Sequence, residues 1–189
     1  MRRSRYLDGT GLTSHVARFG RRSLIKSIQR GTVAVASAAL TGTATITAVD
    51  LSNSVLVYGG QQTDNSIDTW HRACARIELT NATTITATRF EVGEIQTVTY
   101  EVIEFWPGVI KSVQRGTITM TAVNNATATI TAVNTSKSML GYLGYSQENP
   151  STASTIMTRL TLTNSTTVTA NRATGTLNVI IGYQVVEFY

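Results

Sequence analysis

Glu101, Glu104 and Glu187, with two histidines and one cysteine, are the side chains of this sequence best suited to chemistry. Glu101 and Glu104 stand three apart in Tyr-Glu-Val-Ile-Glu-Phe, and Glu187 matches Glu104 in a second copy of that block. Two carboxylates at one sugar can share the acid and base roles of a glycosidase. The second copy has Gln184 where the first has Glu101, so such a pair is written once and not twice. No Gly-rich phosphate loop, serine elbow or metal motif accompanies it. His15 and His71 lack a second ligand at metal spacing. Cys74 is the single cysteine, which excludes an intrachain disulfide and a cysteine-based zinc cluster. Asn81, Asn125, Asn134 and Asn164 each open an Asn-x-Ser/Thr triplet. The first segment is too polar for a signal-peptide core, so no secretion is expected and these read as turn residues. The expectation is of no catalytic residue, no cofactor and no metal.

What positions these residues is a sequence written twice. Ile-Lys-Ser-Ile-Gln-Arg-Gly-Thr at 25–32 returns as Ile-Lys-Ser-Val-Gln-Arg-Gly-Thr at 110–117, and TATITAV at 43–49 returns unchanged at 127–133. ARIELTNATTITATR at 75–89 returns as TRLTLTNSTTVTANR at 158–172, and YEVIEF at 100–105 as YQVVEF at 183–188. A period this long marks a duplicated domain, since solenoid units run ~20–50 residues. The reading is all-β: two tandem duplicated antiparallel β-sandwich domains preceded by an extended basic N-terminal arm. The boundaries are arm 1–23, first repeat 24–105, linker 106–109 and second repeat 110–189. Short Thr/Val/Ile/Ala runs of period two, separated by turn residues, call for six or seven strands per repeat.

Several local expectations follow. Ala44, Ile46 and Ala48 should line one face of a strand. Gly31 and Gly116 suit a bulge or bend where a side chain would clash. The alternation slips at Val102-Ile103, which suggests a bulge or an edge. The linker Trp106-Pro107-Gly108-Val109 is short, so the repeats should sit close together, with Trp106 packed at their junction. Residues 59–73 and 143–157 read as long polar loops, and Trp70 makes the first a candidate for contact with a partner.

Charge is placed unevenly. The chain has 189 residues and net charge +5. Residues 1–30 hold eight basic residues against Asp8, a local +7, so the repeats are near neutral. The pI therefore does not signal a nucleic-acid-binding domain, and no apolar run approaches a membrane span of ~20 residues. In the arm, Arg2, Arg3, Arg5, Arg21 and Arg22 supply charge, while Leu12, Val16 and Phe19 fall at i, i+4 and i+7 and permit a two-turn helix ended by Gly20. Three readings of the arm stay open: a disordered basic tail, an anchor that orders against a partner, and a cleaved targeting peptide.

The four ordered blocks, from Ile-Lys-Ser-Ile-Gln-Arg-Gly to Tyr-x-Val-x-Glu-Phe, resemble a repeat of virion proteins of tailed bacteriophages. The resemblance covers both repeats and leaves the arm unaccounted for. It implies immunoglobulin-like sandwiches and a non-enzymatic structural protein of the virion, assembled in the host cytoplasm. The implied role is capsid decoration or cementing through the arm and domain edges, as a homo-oligomer or in many copies on a lattice. Its partner would be the major capsid protein or a tail protein. A tail or baseplate component and a carbohydrate- or receptor-binding module are the alternatives. The partner-binding residues expected on this reading are Arg2, Arg3, Arg5, Leu12, Val16, Phe19, Arg21, Arg22 and Trp70.

Overall fold

The structure, a computed structural model, describes residues 23–64, 72, 74–148 and 157–189. The expected arm up to residue 22, with its helix, lies outside the described residues, as does Trp70. The described chain is all-β. Its strands are β1 (Ile25–Val35), β2 (Thr41–Thr45), β3 (Ser54–Thr63), β4 (Ala75–Asn81), β5 (Thr84–Arg89) and β6 (Gln96–Phe105), then β7 (Ile110–Thr121), β8 (Asn125–Thr129), β9 (Ser138–Gln147), β10 (Arg159–Asn164), β11 (Thr167–Asn171) and β12 (Asn178–Phe188). All pairings are antiparallel.

In the first half, β1-β6-β3 forms one sheet, and β2-β5-β4 faces it as part of a six-stranded sheet, β2-β5-β4-β9-β12-β7, that runs on into the second half. Val33, Val98, Tyr100, Val102 and Leu56 from one, with Ile77, Leu79, Ile85 and Ala87 from the other, make a shared core. In the second half β7-β12-β9 stands in the place of β1-β6-β3, and β8-β11-β10 in that of β2-β5-β4. Its core gathers Ile118, Met120, Val168, Ala170, Ile181, Tyr183 and Val185. A single bridge, Arg76 to Gly144, joins β4 to β9.

Side-chain sterics account for the recurring glycines. Gly31 pairs with Tyr100 and Gly116 with Tyr183. A Cβ on Gly31 would stand 2.7 Å from the Tyr100 Oη, and one on Gly116 2.8 Å from that of Tyr183. Each glycine makes room for a cross-strand tyrosine, in an unbroken register and not at a bulge. The irregularity falls instead on β3 at Tyr58/Gly60 and on the matching Ile181/Tyr183 step of β12 with β9. Gly60 and Gly144 sit there with φ of +117° and +81°, backbone that glycine adopts without a Cβ penalty.

The slip read at Val102-Ile103 is not a bulge either. Val98, Tyr100, Val102 and Glu104 all point inward, so the odd residue is a buried glutamate. Glu104 accepts from Lys26 Nζ at 2.8 Å, Asp50 N–H at 3.0 Å and Ser27 Oγ at 3.1 Å. Glu187 repeats this with Lys111 Nζ and Asn134 N–H, both at 2.9 Å. These contacts tie the start of β1 or β7 to the segment that follows β2 or β8. That segment departs from the expected strand. After Thr45 the chain leaves the ladder, so Ile46 and Val49 are buried while Ala48 is exposed.

The linker makes a turn closed by Val109 N–H to the Trp106 carbonyl at 3.3 Å, with Gly108 at φ +89°. Proline followed by a positive-φ glycine is the residue pair that a type II turn requires. Trp106 does not fill the junction and is 49% exposed. Val55, Ile110 and Val186 are buried there instead, beside Phe105 and Phe188, whose rings meet edge to face at 6.2 Å.

Burial pushes the Glu104 carboxyl up, but its hydrogen bonds and the Lys26 charge outweigh that and hold it below the usual range. The Asn134 N–H and Lys111 hold Glu187 low as well. A lowered carboxyl stabilises the fold above its unfolded value of ~4.3, and that contribution is lost as pH falls through the folded value. Melting temperature should therefore be level near neutrality and fall below about pH 4. The doubly substituted Glu104→Gln, Glu187→Gln chain should melt lower at pH 7 and lose less on acidification. Equal acid slopes for the two proteins, followed by circular dichroism, would disprove this role.

Candidate interaction surface

Strand alternation gives β12 an inward face of Val179, Ile181, Tyr183, Val185 and Glu187. The opposite side carries Gly182, Gln184 and Val186. That side would face solvent in an isolated half, yet all three residues are buried, Gln184 to 1% and Val186 to 0% exposure. The first half covers them. The Leu56 N–H donates to Gln184 Oε1 at 3.2 Å, and Gln184 Nε2 donates back to the Leu56 carbonyl. One carboxamide thus satisfies both polar groups of a buried residue, where an unpaired group would cost roughly 1–3 kcal/mol. Arg115 reaches across beside it, donating to the Leu51 carbonyl at 3.2 Å and to that of Ser54.

The deepest contact is Leu143, which belongs to β9 but packs into the first-half core between β3 and β4. Glycines permit the approach. A Cβ on Gly144 would lie 2.5 Å from the Ala75 carbonyl oxygen and 2.8 Å from the Tyr58 ring, and one on Gly182 would lie 3.0 Å from the Leu143 Cβ. The expected loops at 59–73 and 143–157 are accordingly shorter. Residues 59–63 complete β3 and 143–147 complete β9, while most of what remains lies outside the described residues.

Around Leu143 the seam is aromatic and polar. Tyr58 and Tyr142 meet edge to face at 5.9 Å, and Tyr145 lies 6.5 Å from Tyr142. Gln147 Nε2 approaches Cys74 Sγ at 3.7 Å, and Gln61 Oε1 accepts from the Ala75 N–H at 2.9 Å and from Gln96 Nε2 at 2.8 Å. Burial pushes the Cys74 thiol and all three tyrosine hydroxyls up, and the nearby thiol adds to the shift of the tyrosines. A thiol kept protonated is a packing group rather than a nucleophile.

The carboxylates read as a glycosidase pair do not converge. Glu101 points outward to Arg30 Nε at 2.7 Å, with 36% of its side chain exposed, whereas the Glu104 side chain is 4% exposed on the opposite face. Among the described residues no three His, Cys, Asp or Glu side chains group as a metal site, and no helix is long and apolar enough to cross a membrane. The nine residues expected to bind a partner all lie outside the described residues, so the seam is a surface that the sequence reading missed. Its readable signs are changes between matched positions, Glu101 to Gln184 and Ile103 to Val186 within one block among them.

No family model, no curated protein and no solved structure matches this chain.

Because Leu143 fills the core of the other half, Leu143→Ala should destabilise by about 2–5 kcal/mol, the usual range for a buried leucine. Hydrogen exchange should quicken at Val98–Val102 in the first half as well as near residue 143. Loss of protection confined to residues 110–189 would show that the leucine serves only its own half.

Proposed function

We propose that this protein is a non-enzymatic structural protein of a tailed-phage virion, a capsid decoration protein built of two tandem duplicated β-sandwich domains. The observation that carries the proposal is the set of four sequence blocks, repeated in order, that resembles repeats of such virion proteins. Three features support it. The matched blocks fall on matching ladders, with Gly31 opposite Tyr100 as Gly116 is opposite Tyr183. Glu104 and Glu187, the carboxylates best placed for chemistry, are each bound to lysine and backbone N–H groups. The halves meet through buried leucine and glutamine and half-buried phenylalanine side chains, which suits a rigid two-unit body that repeats on a lattice.

On this proposal the basic arm holds the protein to the particle. Exposed ion pairs are each worth only about 0–1 kcal/mol and are screened beyond ~8 Å at physiological salt. Lasting attachment therefore draws on Leu12, Val16 and Phe19, each worth about 1.5–3 kcal/mol when fully buried. Co-sedimentation with intact particles at two ionic strengths tests this. Deleting residues 1–23 should abolish binding while leaving the fold intact. Leu12→Ala with Phe19→Ala should weaken binding even at low salt, whereas Arg21→Gln with Arg22→Gln should change mainly its salt dependence. Undiminished binding of the deleted chain would refute the anchoring role, and no binding by the full chain to heads or tails would refute the virion role.

A further inference from the structure

The cleft between β3 and β4 that receives Leu143 has a counterpart between β9 and β10, and among the described residues nothing fills that counterpart. Leu56, Ile77 and Leu79 line the first cleft, exposed to 1%, 1% and 7%. Leu140, Leu160 and Leu162 occupy the matching positions and are only half-buried. Leu140 and Leu160, with Tyr142, Tyr145 and Met157, line a groove of about 460 Å³. Tyr142 is 36% exposed and Met157 70%. In the first half β4 borders the cleft and bridges to Gly144. Among the described residues β10 pairs only with β11, which leaves its groove-side edge free for a further strand.

The filled cleft shows what such a groove takes: the edge of an extended strand carrying a leucine-sized side chain. Charge narrows the occupant further. Arg76, at the rim of the filled cleft, has Glu78 two residues along its own strand at 3.8 Å. Its counterpart Arg159 is exposed at the rim of the open groove, and Thr161 stands where the acidic residue would be. That cation favours an acidic group brought by the occupant.

A second copy of this chain is a poor fit. Its β9 face is already consumed in its own seam. Its first half presents Gly59 in place of Leu143, Thr99 in place of Gly182, and the Arg30-bound Glu101 in place of Gln184. That surface has no leucine to insert, and it would bring a carboxylate where Gln184 donates to a carbonyl.

We propose that the β9–β10 groove is a docking site for an extended strand of another protein, one that carries a leucine-sized apolar side chain and an acidic residue. Main-chain pairing along β10 would supply affinity and the apolar groove specificity, as in other strand-addition complexes. The inference uses the matched halves but not the virion assignment, and its assay contains no particle, so either can fail alone.

The probe is a synthetic peptide with the sequence of residues 138–148, which holds a copy of the leucine that fills the first cleft and ends in glutamate. Titrated into the full-length isotope-labelled protein, it should shift the amides of Leu140, Thr158 and Leu160 and leave Leu56 and Ile77 unmoved. Changing the peptide's central leucine to alanine should weaken binding at least tenfold. Leu160→Arg should abolish it, and Met157→Arg, at a position open enough to leave the fold unchanged, should reduce it. No shift at about 1 mM peptide, the limit of weak specific binding, would overturn the proposal. So would shifts that survive both substitutions. Concentration-dependent self-association lost in Met157→Arg would overturn it too, by making the occupant a second copy.

Discussion

A strand at the centre of a three-stranded sheet has two faces, and a second sheet can cover only one. For β6 the uncovered face carries Thr99, Glu101 and Ile103, and the Arg30–Glu101 pair keeps its middle polar. For β12 the same face carries Gly182, Gln184 and Val186, which water would serve poorly and which the first half covers. The rest of the arrangement follows from that covering. Leu143 can enter the first-half core only because β9 rides on the covered face, and β4 meets β9 only because Leu143 has entered.

The differences between matched positions come in compensating pairs. Leu143 stands over Gly182 in the second half, and Gly59 beside Thr99 in the first; a Cβ on Gly59 would lie 3.1 Å from the Thr99 Cγ2. Gly141 leaves room for the Gln184 side chain, which a Cβ there would meet at 2.8 Å. Val57 and Glu101 hold the corresponding places. At the Leu143–Gly182 crossing and its counterpart Gly59–Thr99 one position is large and the other small, as close packing demands. What changed between the halves is which strand carries the bulk, and that decides which face is a docking surface. Arg30 and Arg115 obey the same logic. One pairs with a carboxylate in water, while the other donates to carbonyls across a seam where a carboxylate would be costly to bury.

Much of the fold was legible because it rests on local rules. Period-two alternation marks the strand-forming runs, and the Asn81 and Asn164 turns are where those side chains accept from the N–H two residues on. The errors have a common cause. The alternation of TATITAV puts Ala48 on one strand face with Ala44 and Ile46, but pairing ends at Thr45, and Gln29 takes the Thr47 N–H. Glu104 was read as a break in the pattern because periodicity counts a carboxylate as outward, whereas here a lysine and backbone donors satisfy it inside. Residues 59–63 and 143–147 fall within polar stretches that begin with or contain glycine, a residue depleted from strands on average. In this chain they are the strand ends that build the seam. The seam's hydrogen bonds join residues 61 to 128 positions apart, and no window of sequence contains both sides.

The seam also bears on how freely the halves can move. A four-residue turn alone would let two domains swing, since inter-domain motion is the default where an interface is small and polar. Here the turn is backed by the Phe105–Phe188 contact at one end, the Gln184–Leu56 pair in the middle and Leu143 in the core beyond. A hinge motion about Pro107 would leave the Leu56 backbone unpaired and pull a leucine from a close-packed core. Those losses fall together, because the three contacts lie along one strand pair, β9 with β12. The halves should therefore keep one relative orientation up to the point at which the first core itself begins to open.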